Sequence, residues 1–133
     1  MATVQLTDKN FQETVDKGGI VLIDYWAPWC APCRAFGPVF EKASEKHPDA
    51  VFGKVNTEEE QDLAAAFGIR SIPTLMIFRD RILIFAQPGM LPAPVLEELI
   101  GKVKALDMDK VREEIEAEQK KQADTQRSSA PAN

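Results

Sequence analysis

The chain has 133 residues, of which 16 are basic and 21 acidic, so its formal net charge is −5. This acidic balance argues against binding to a nucleic-acid backbone or to an anionic membrane surface. The length indicates one domain, 44% hydrophobic residues suffice for a core, and no apolar run approaches the ~20 residues that cross a bilayer. The first residues carry no basic region followed by an apolar stretch, so we expect no secretory signal and a cytoplasmic location.

The first half of the chain alternates between helical and strand patterns. A short helical pattern at 11–15 precedes residues 20–26, a run that is apolar on both faces, as in a central strand covered by helices. A helix is predicted from about residue 30 to 46, followed by a strand at 51–56 and a short helix that ends at Gly68. This order predicts an α/β domain with residues 20–26 in the middle of the sheet.

The second half begins with two apolar strands, at 74–79 and 82–86, that are separated by two residues. A connection this short joins antiparallel neighbours, so the sheet is predicted to be mixed. A further amphipathic helix follows, with Pro94 suited to its first position. We expect the globular domain to span residues 1–106.

The remainder of the chain is predicted to be an appendage of two parts. Residues 107–122 are mostly charged and form a helical extension, and residues 123–133 form a polar tail that we expect to be disordered. Three apolar residues recur at helical spacing in the extension: Met108, Val111 and Ile115. These residues could pack against the apolar edge strand at 82–86 or against the last helix of the domain. The alternative is a charged helix that lies free in solvent.

The only cysteines, Cys30 and Cys33, lie between the predicted central strand and the helix that follows it. In this context a C-x-x-C pair indicates redox chemistry, because residues i and i+3 share a helix face and can approach disulfide distance. The alternative is half of a structural zinc site, but such a site needs four ligands, and His47 is the only further soft candidate. We therefore predict no metal site, and we interpret His47 as a solvated helix C-cap.

The two sulfurs are expected to differ in role. Cys30 falls at the helix N-terminus, where unpaired N–H groups and the helix dipole lower the pKa of a thiol, so it is the predicted, accessible nucleophile. Cys33 lies one turn further in, on an apolar stripe. Its sheltered position disfavours the thiolate, which predicts a resolving thiol.

Asp24 interrupts the otherwise apolar central strand, and Lys54 is the one charge in residues 51–55. Burial should raise the pKa of the Asp24 carboxyl. Neighbouring strands could bring the two side chains together below Cys33, where Asp24 would pass a proton to or from the thiol. The alternative is an ordinary carboxylate at a strand end.

Taken alone, Pro73 is better explained as the initiator of a strand than as a cis proline.

The chain resembles the thioredoxin family across roughly positions 3 to 105. The resemblance rests on residues in family order and spacing: Asp24, Trp26-Ala27, Trp29-Cys30, Pro32-Cys33, Pro38, Lys54, Gly68-Ile69-Arg70, Ile72-Pro73-Thr74 and Gly89. It implies the thioredoxin fold, an α/β architecture with a central mixed five-stranded sheet flanked by four helices. The charged helical extension at the C-terminus lies beyond the usual end of the family.

The resemblance also implies a substrate site. Pro73 would be cis and face the disulfide, and a shallow groove for a substrate backbone would be formed by Trp29, Ile72, Pro73 and Gly89. The two residues between the cysteines, Ala31 and Pro32, would tune the redox equilibrium, and Ala31 stands where the family usually has glycine.

The implied function is that of a monomeric thiol–disulfide oxidoreductase that reduces disulfides in other proteins. It would bind no cofactor itself, and a flavin-containing thioredoxin reductase would recharge it with electrons from NADPH. The alternative is a chaperone or assembly subunit of the same fold that binds a partner through the groove and the C-terminal helix. Arg81 also departs from the family, because it replaces the usual glycine of the hairpin turn, so the turn either adopts another conformation or holds a non-glycine residue at positive φ.

Overall fold

The structure is a computed structural model that describes residues 2–129. Its strands are β1 (Thr3–Gln5), β2 (Ile20–Trp26), β3 (Val51–Asn56), β4 (Thr74–Arg79) and β5 (Ile82–Pro88). Its helices are α1 (Phe11–Asp16), α2 (Ala31–Lys46), α3 (Gln61–Ala66), α4 (Ala93–Ala105) and α5 (Met108–Ser129). No helix within the described residues has the length and apolar character needed to span a bilayer.

The five strands form one mixed sheet in the order β1-β3-β2-β4-β5. β1, β3 and β2 run parallel, whereas on the other side of β2 the strand β4 pairs antiparallel with β2 and β5 pairs antiparallel with β4. The predicted central position of β2 and the five-stranded sheet with four helices and an appended helix are confirmed. β1 has only three residues, which is too few to show the alternating apolar pattern by which a strand is predicted from sequence.

Both faces of the sheet are covered, which explains why β2 is apolar throughout. Leu22 of β2 packs with α2 and α4 on one face, in a cluster that includes Phe36, Phe40, Leu96 and Ile100. On the other face its neighbours in the strand, Val21 and Ile23, pack with α1 in a cluster that includes Phe11 and Val15. Each of these buried side chains contributes about 1.5–3 kcal/mol to folding. The alternation of β2 residues between the faces places Asp24 and Trp26 on the side of α2.

A close approach joins β1 to β3. Leu6, which is 1% exposed, lies over Gly53 of β3, and a Cβ atom at position 53 would stand 2.3 Å from Leu6 Cδ1. The Leu6 backbone N–H also donates to the Lys54 carbonyl at 2.8 Å. Glycine at this position therefore lets a leucine side chain lie directly on the strand.

The β4–β5 hairpin turns through Asp80 and Arg81, whose φ angles are 52° and 71°. Of the two alternatives for this turn, the structure has the non-glycine residue at positive φ, and two such residues in succession form the turn that suits the twist of paired strands. The pairing then slips, because Phe78 faces Leu83 whereas Ile77 faces Phe85. An extra residue of this kind bends an edge strand and makes it a poorer template for another chain.

Helix α5 differs from the prediction at its end. The helix continues to Ser129, so residues 123–129 are helical where a disordered tail was expected, and residues 130–133 lie outside the described part. Glycine and proline are absent from 108–129, and Glu116 and Lys120 have the i,i+4 spacing and order that favour a helix. The apolar stripe is sheltered only at its start, since Met108 is 6% exposed and Val111 and Ile115 are partly buried, while the other described side chains of α5 are exposed.

Candidate active site

The two cysteines meet at the first turn of α2. Cys30 is the N-cap of the helix, with extended backbone angles, and Cys33 lies within the first turn. Their Cα atoms are 5.2 Å apart, and the structure records a disulfide between them. This separation falls in the usual disulfide range, so the helical spacing brings the sulfurs together without unwinding the chain.

The environment of the disulfide distinguishes the two sulfurs by hydrogen bonding. The backbone N–H of Cys33 donates to Cys30 Sγ at 3.3 Å, and the same sulfur lies 3.7 Å from the Ile72 carbonyl oxygen. A donor at a helix N-terminus favours negative charge on the atom it faces. The expected difference in exposure is absent from the disulfide form, because each cysteine is 4% exposed and both pack with Ala27.

Three of the four predicted groove residues are joined around the Cys30 sulfur. The Ile72–Pro73 peptide bond is cis, as the resemblance implies and contrary to the simpler explanation from the residues alone. The Gly89 N–H donates to the Pro73 carbonyl at 2.8 Å, and Gly89 has a φ of 106° that other residues rarely adopt. Ile72 packs against the cysteine cluster. The fourth residue, Trp29, directly precedes Cys30 in the sequence.

Two large apolar residues adjacent in sequence to the site residues are exposed. The Trp29 side chain is 64% exposed, and Met90, which follows Gly89, is 44% exposed. Met90 was not among the predicted site residues, although its position beside Gly89 was a usable signal. Ala31 and Pro32 are exposed at the start of α2, and Pro32 occupies a position where the helix needs no N–H donor. Large exposed apolar side chains at a site of this kind suit contact with another protein.

Asp24 is completely buried, and neither of its carboxyl oxygens has a hydrogen-bond partner among the described residues. Burial raises the pKa of Asp24 to about 7, because the charged form loses its hydration, and the nearby Lys54 ammonium opposes this shift. The carboxyl therefore changes its protonation state near neutrality. This is the behaviour required of a group that both accepts and releases a proton.

Lys54 is the register partner of Asp24 in the neighbouring strand. Its ammonium does not bond to that carboxyl, and instead Nζ lies 5.0 Å from the centroid of the Trp26 ring. Trp26 also packs against the cluster formed by Ala27 and the two cysteines. The sequence interpretation did not include Trp26 in the site, although its position two residues after Asp24 places both on one face of β2.

His47 lies at the opposite end of α2 and is not solvated as expected. It is the C-cap of the helix, but its side chain is 16% exposed. Its Nε2 is 2.6 Å from Glu97 Oε2, and its Nδ1 is 2.8 Å from Lys104 Nζ, so it connects α2 to α4. Within residues 2–129, no three His, Cys, Asp or Glu side chains are grouped so as to hold a metal ion.

Comparisons with known proteins agree with this architecture. The family profile described as Thioredoxin matches residues 2–105. A Streptomyces coelicolor protein that carries the thioredoxin name is 57% identical over 122 residues, which cover 92% of this chain and 90% of that protein. The thioredoxin of Bacillus subtilis is 37% identical and covers 77% of this chain and 98% of its own. A solved mutant thioredoxin from Halobacterium salinarum superposes with a TM-score of 0.72 at 31% identity, over 78% of this chain and 91% of that one.

The Streptomyces comparison extends past the family domain. Its 122 aligned residues exceed the 104 positions of the profile match, so the alignment includes part of α5. The Bacillus relative aligns over 103 residues. The profile match, the curated relatives and the cysteine pair at the start of α2 lead to one conclusion: the chain belongs to the thioredoxin family of thiol–disulfide oxidoreductases.

Proposed function

We propose that the chain reduces exposed disulfides in other proteins, with Cys30 as the nucleophile, Cys33 as the resolving thiol and Asp24 as the proton carrier. The observation that carries the assignment is the hydrogen bond from the Cys33 N–H to Cys30 Sγ at the helix N-cap. A thiolate at this position is stabilised by the helix, whereas Cys33 is placed inside the first turn.

In the first step, the Cys30 thiolate attacks one sulfur of the substrate disulfide. A bond forms between Cys30 Sγ and that sulfur while the substrate S–S bond breaks, and the second substrate sulfur leaves as a thiolate that takes a proton from water. The Ile72 carbonyl, 3.7 Å from Cys30 Sγ, lies beside the position where the mixed disulfide would form.

In the second step, Cys33 gives its proton to the Asp24 carboxylate and attacks Cys30 Sγ. The Cys30–Cys33 disulfide forms, the bond to the substrate breaks, and the remaining substrate sulfur departs and is protonated. Two electrons have then moved from the cysteine pair to the substrate, and its two new thiols hold one proton taken from water and one that left Cys33 through Asp24. A pKa of about 7 suits Asp24 to this task, because both of its protonation states are populated near neutral pH.

The substrate backbone is proposed to lie in the groove formed by Trp29, Ile72, Pro73 and Gly89. The support is their grouping around the Cys30 sulfur together with the exposed ring of Trp29. Main-chain contacts of this kind read little of the substrate sequence. Proteins with accessible disulfides are therefore the proposed substrate class, and a monomer suffices for the reaction.

The proposed source of electrons is NADPH, passed through a flavin-containing thioredoxin reductase that regenerates the dithiol. The reductase and the substrate proteins are the proposed partners, and the chain itself needs no bound cofactor for exchange between sulfurs. The proposed compartment is the cytoplasm, where protein thiols are kept reduced. Lys54 is assigned an electrostatic role in this scheme, because its charge opposes the pKa shift of Asp24.

The deciding experiment is to trap the mixed disulfide. Cys33→Ser is expected to accumulate a covalent complex with a disulfide substrate such as insulin, and Cys30→Ser is expected to form none, because only the first has the nucleophile without the resolving thiol. The unsubstituted chain should sustain NADPH consumption with a thioredoxin reductase and insulin. Equal trapping by both variants would contradict the assigned roles.

The same variants test the alternative function. A Cys30→Ser, Cys33→Ser double variant should lose all reductase activity. If this variant still suppressed aggregation of an unfolded protein as well as the unsubstituted chain does, and no reductase supported turnover of the latter, the chaperone or assembly role would replace the proposed one.

A further inference from the structure

Trp26 contacts two parts of the site. One side of the residue packs against the cluster of Ala27, Cys30 and Cys33. The Lys54 ammonium lies over its ring, with Nζ 5.0 Å from the ring centroid. A cation at this distance from an indole is attracted by the negative face of the ring.

The backbone of Trp26 is fixed, so the ring is a firm support. Its carbonyl accepts hydrogen bonds from the Thr57 N–H at 2.8 Å and from Thr57 Oγ1 at 3.0 Å. Helix α2 limits the space on the other side, since a Cβ atom at Gly37 would lie 3.7 Å from Lys54 Nζ. The ammonium is thereby held between the indole and the helix.

Without the indole ring, the Lys54 ammonium could move further into a solvent-open cavity that both residues line. A cavity of about 420 Å³ that opens to solvent is lined by Lys54 and Trp26 together with Asn56, Glu59 and β1. Hydration and the Glu59 carboxylate both favour an ammonium there over a site beside buried groups. Contact with the indole face is the interaction that opposes such a displacement.

We propose that Trp26 is a positioning residue, whose ring holds the Lys54 ammonium beside the buried Asp24 carboxyl and so sets how readily Asp24 exchanges a proton with Cys33. The inference rests on the proposed role of Asp24 as proton carrier. Lys54 is the charged group whose field acts on Asp24. On the other elements, β4 places the uncharged Leu75 opposite Asp24, and α2 contributes Cys33 as the titratable residue of its buried face.

The test is a titration of the Asp24 carboxyl by carbon NMR in the disulfide form, where the cysteines do not titrate. Trp26→Leu is expected to raise the pKa of Asp24 by about half a unit to one unit, a three- to tenfold gain in proton affinity, because the ammonium moves away into the cavity. Lys54→Met should raise it similarly. Trp26→Phe keeps a ring with a weaker negative face and should give a smaller rise.

The double variant separates positioning from packing. In a Lys54→Met background, Trp26→Leu should leave the pKa of Asp24 unchanged, because there is no cation left to position. Trp29→Leu is the matched control, since this indole adjoins Cys30 but holds no cation among the described residues, and it should not shift the pKa of Asp24. A fall in the pKa in Trp26→Leu, or a rise that persists in the Lys54→Met background, would overturn the proposal. If Trp26→Leu does not fold, the same comparison with Trp26→Phe decides.

Activity measurements keep this inference distinct from the proposed function. The pH midpoint of the resolving step should move upward with the pKa in Trp26→Phe. An Asp24→Asn variant that resolves mixed disulfides at the normal rate would refute the proton-carrier role, whereas the NMR titration would still report whether Trp26 holds Lys54.

Discussion

The two ends of the sheet differ in whether their ionisable side chains have hydrogen-bond partners. At the cysteine end, Asp24 is 0% exposed, and its two carboxyl oxygens find no hydrogen-bond partner among residues 2–129. At the other end, where β2 begins and β4 finishes, Arg79 donates through Nη1 to the carbonyls of Val103 at 2.6 Å and Leu106 at 2.8 Å. The first arrangement is costly, whereas the second satisfies the carbonyls at the end of α4.

A second satisfied cluster at this far end makes the same point. Glu97 and Lys104 both bond to His47, and Lys104 also pairs with Asp49 at 3.1 Å. These contacts tie the end of α2 to α4 and involve no group of the active site. In this protein, charged groups with hydrogen-bond partners anchor the helices, while a carboxyl without such partners lies where proton transfer is proposed.

The largest expected effect is on stability at the unsatisfied end. Asp24→Asn should be more stable than the parent at pH 8, by up to about 4 kcal/mol, because a pKa raised from 3.8 to about 7 corresponds to roughly 3 pH units. The sign follows from the raised pKa: the carboxyl favours the folded state fully below pH 3.8, and this benefit is lost as the pH rises through 7. Urea unfolding of the disulfide forms at several pH values measures the difference. The difference in free energy of unfolding should grow between pH 4 and 7 and stay constant above pH 7. A difference that did not change with pH would contradict the raised pKa of Asp24.

At the satisfied end, Arg79→Met should lower the free energy of unfolding by about 2–3 kcal/mol, because carbonyls at the end of α4 lose a charged donor. Disulfide reduction should proceed normally. Arg70→Met, at an exposed arginine, is the matched control and should change stability by less than about 0.5 kcal/mol. Equal losses in both variants would show that the contacts of Arg79 add nothing.

A smaller loss is expected for His47→Ala, about 1–2 kcal/mol, because Glu97 and Lys104 each lose a partner in a partly buried position. Thermal unfolding measures it, and Lys46→Ala at the exposed neighbouring position serves as control. If His47→Ala proved as stable as Lys46→Ala, the far end would not be anchored by this cluster.

The smallest effect is expected in α5. Removing residues 117–133 should change the free energy of unfolding by less than about 0.5 kcal/mol, since the described side chains in this stretch are exposed. Removing residues 107–133 should cost about 1–2 kcal/mol, because Met108 is buried. A loss confined to the longer truncation would place the end of the packed domain beyond Met108, past the boundary at residue 106 expected from the sequence. Identical stability of both truncated chains would mean that the start of α5 does not belong to the packed domain.

Much of the fold was predictable because its signals are local. The run at 20–26 is apolar on both faces, and the two-residue connection at Asp80 and Arg81 admits only an antiparallel pair. The end of α5 was misplaced because polar composition was taken as disorder, although composition alone does not stop a helix that lacks glycine and proline.

The site was predictable only in part, because its remaining features depend on contacts between distant segments. The adjacency of Asp24 and Lys54 followed from two neighbouring strands, and it appears in their register. The position of the Lys54 ammonium on Trp26 depends on side-chain geometry that periodicity does not encode. The bonds of His47 to α4 join residues 50 or more positions apart, which no local pattern could indicate.

The contact between Leu6 and Gly53 has a consequence for the variation that this chain can tolerate. Any side chain at position 53 must displace Leu6, and with it the attachment of β1 to the rest of the sheet. A library of all twenty amino acids at this site, selected for soluble expression, should return glycine almost exclusively. In a second library that also varies position 6, alanine at position 53 should be recovered together with a residue smaller than leucine at position 6.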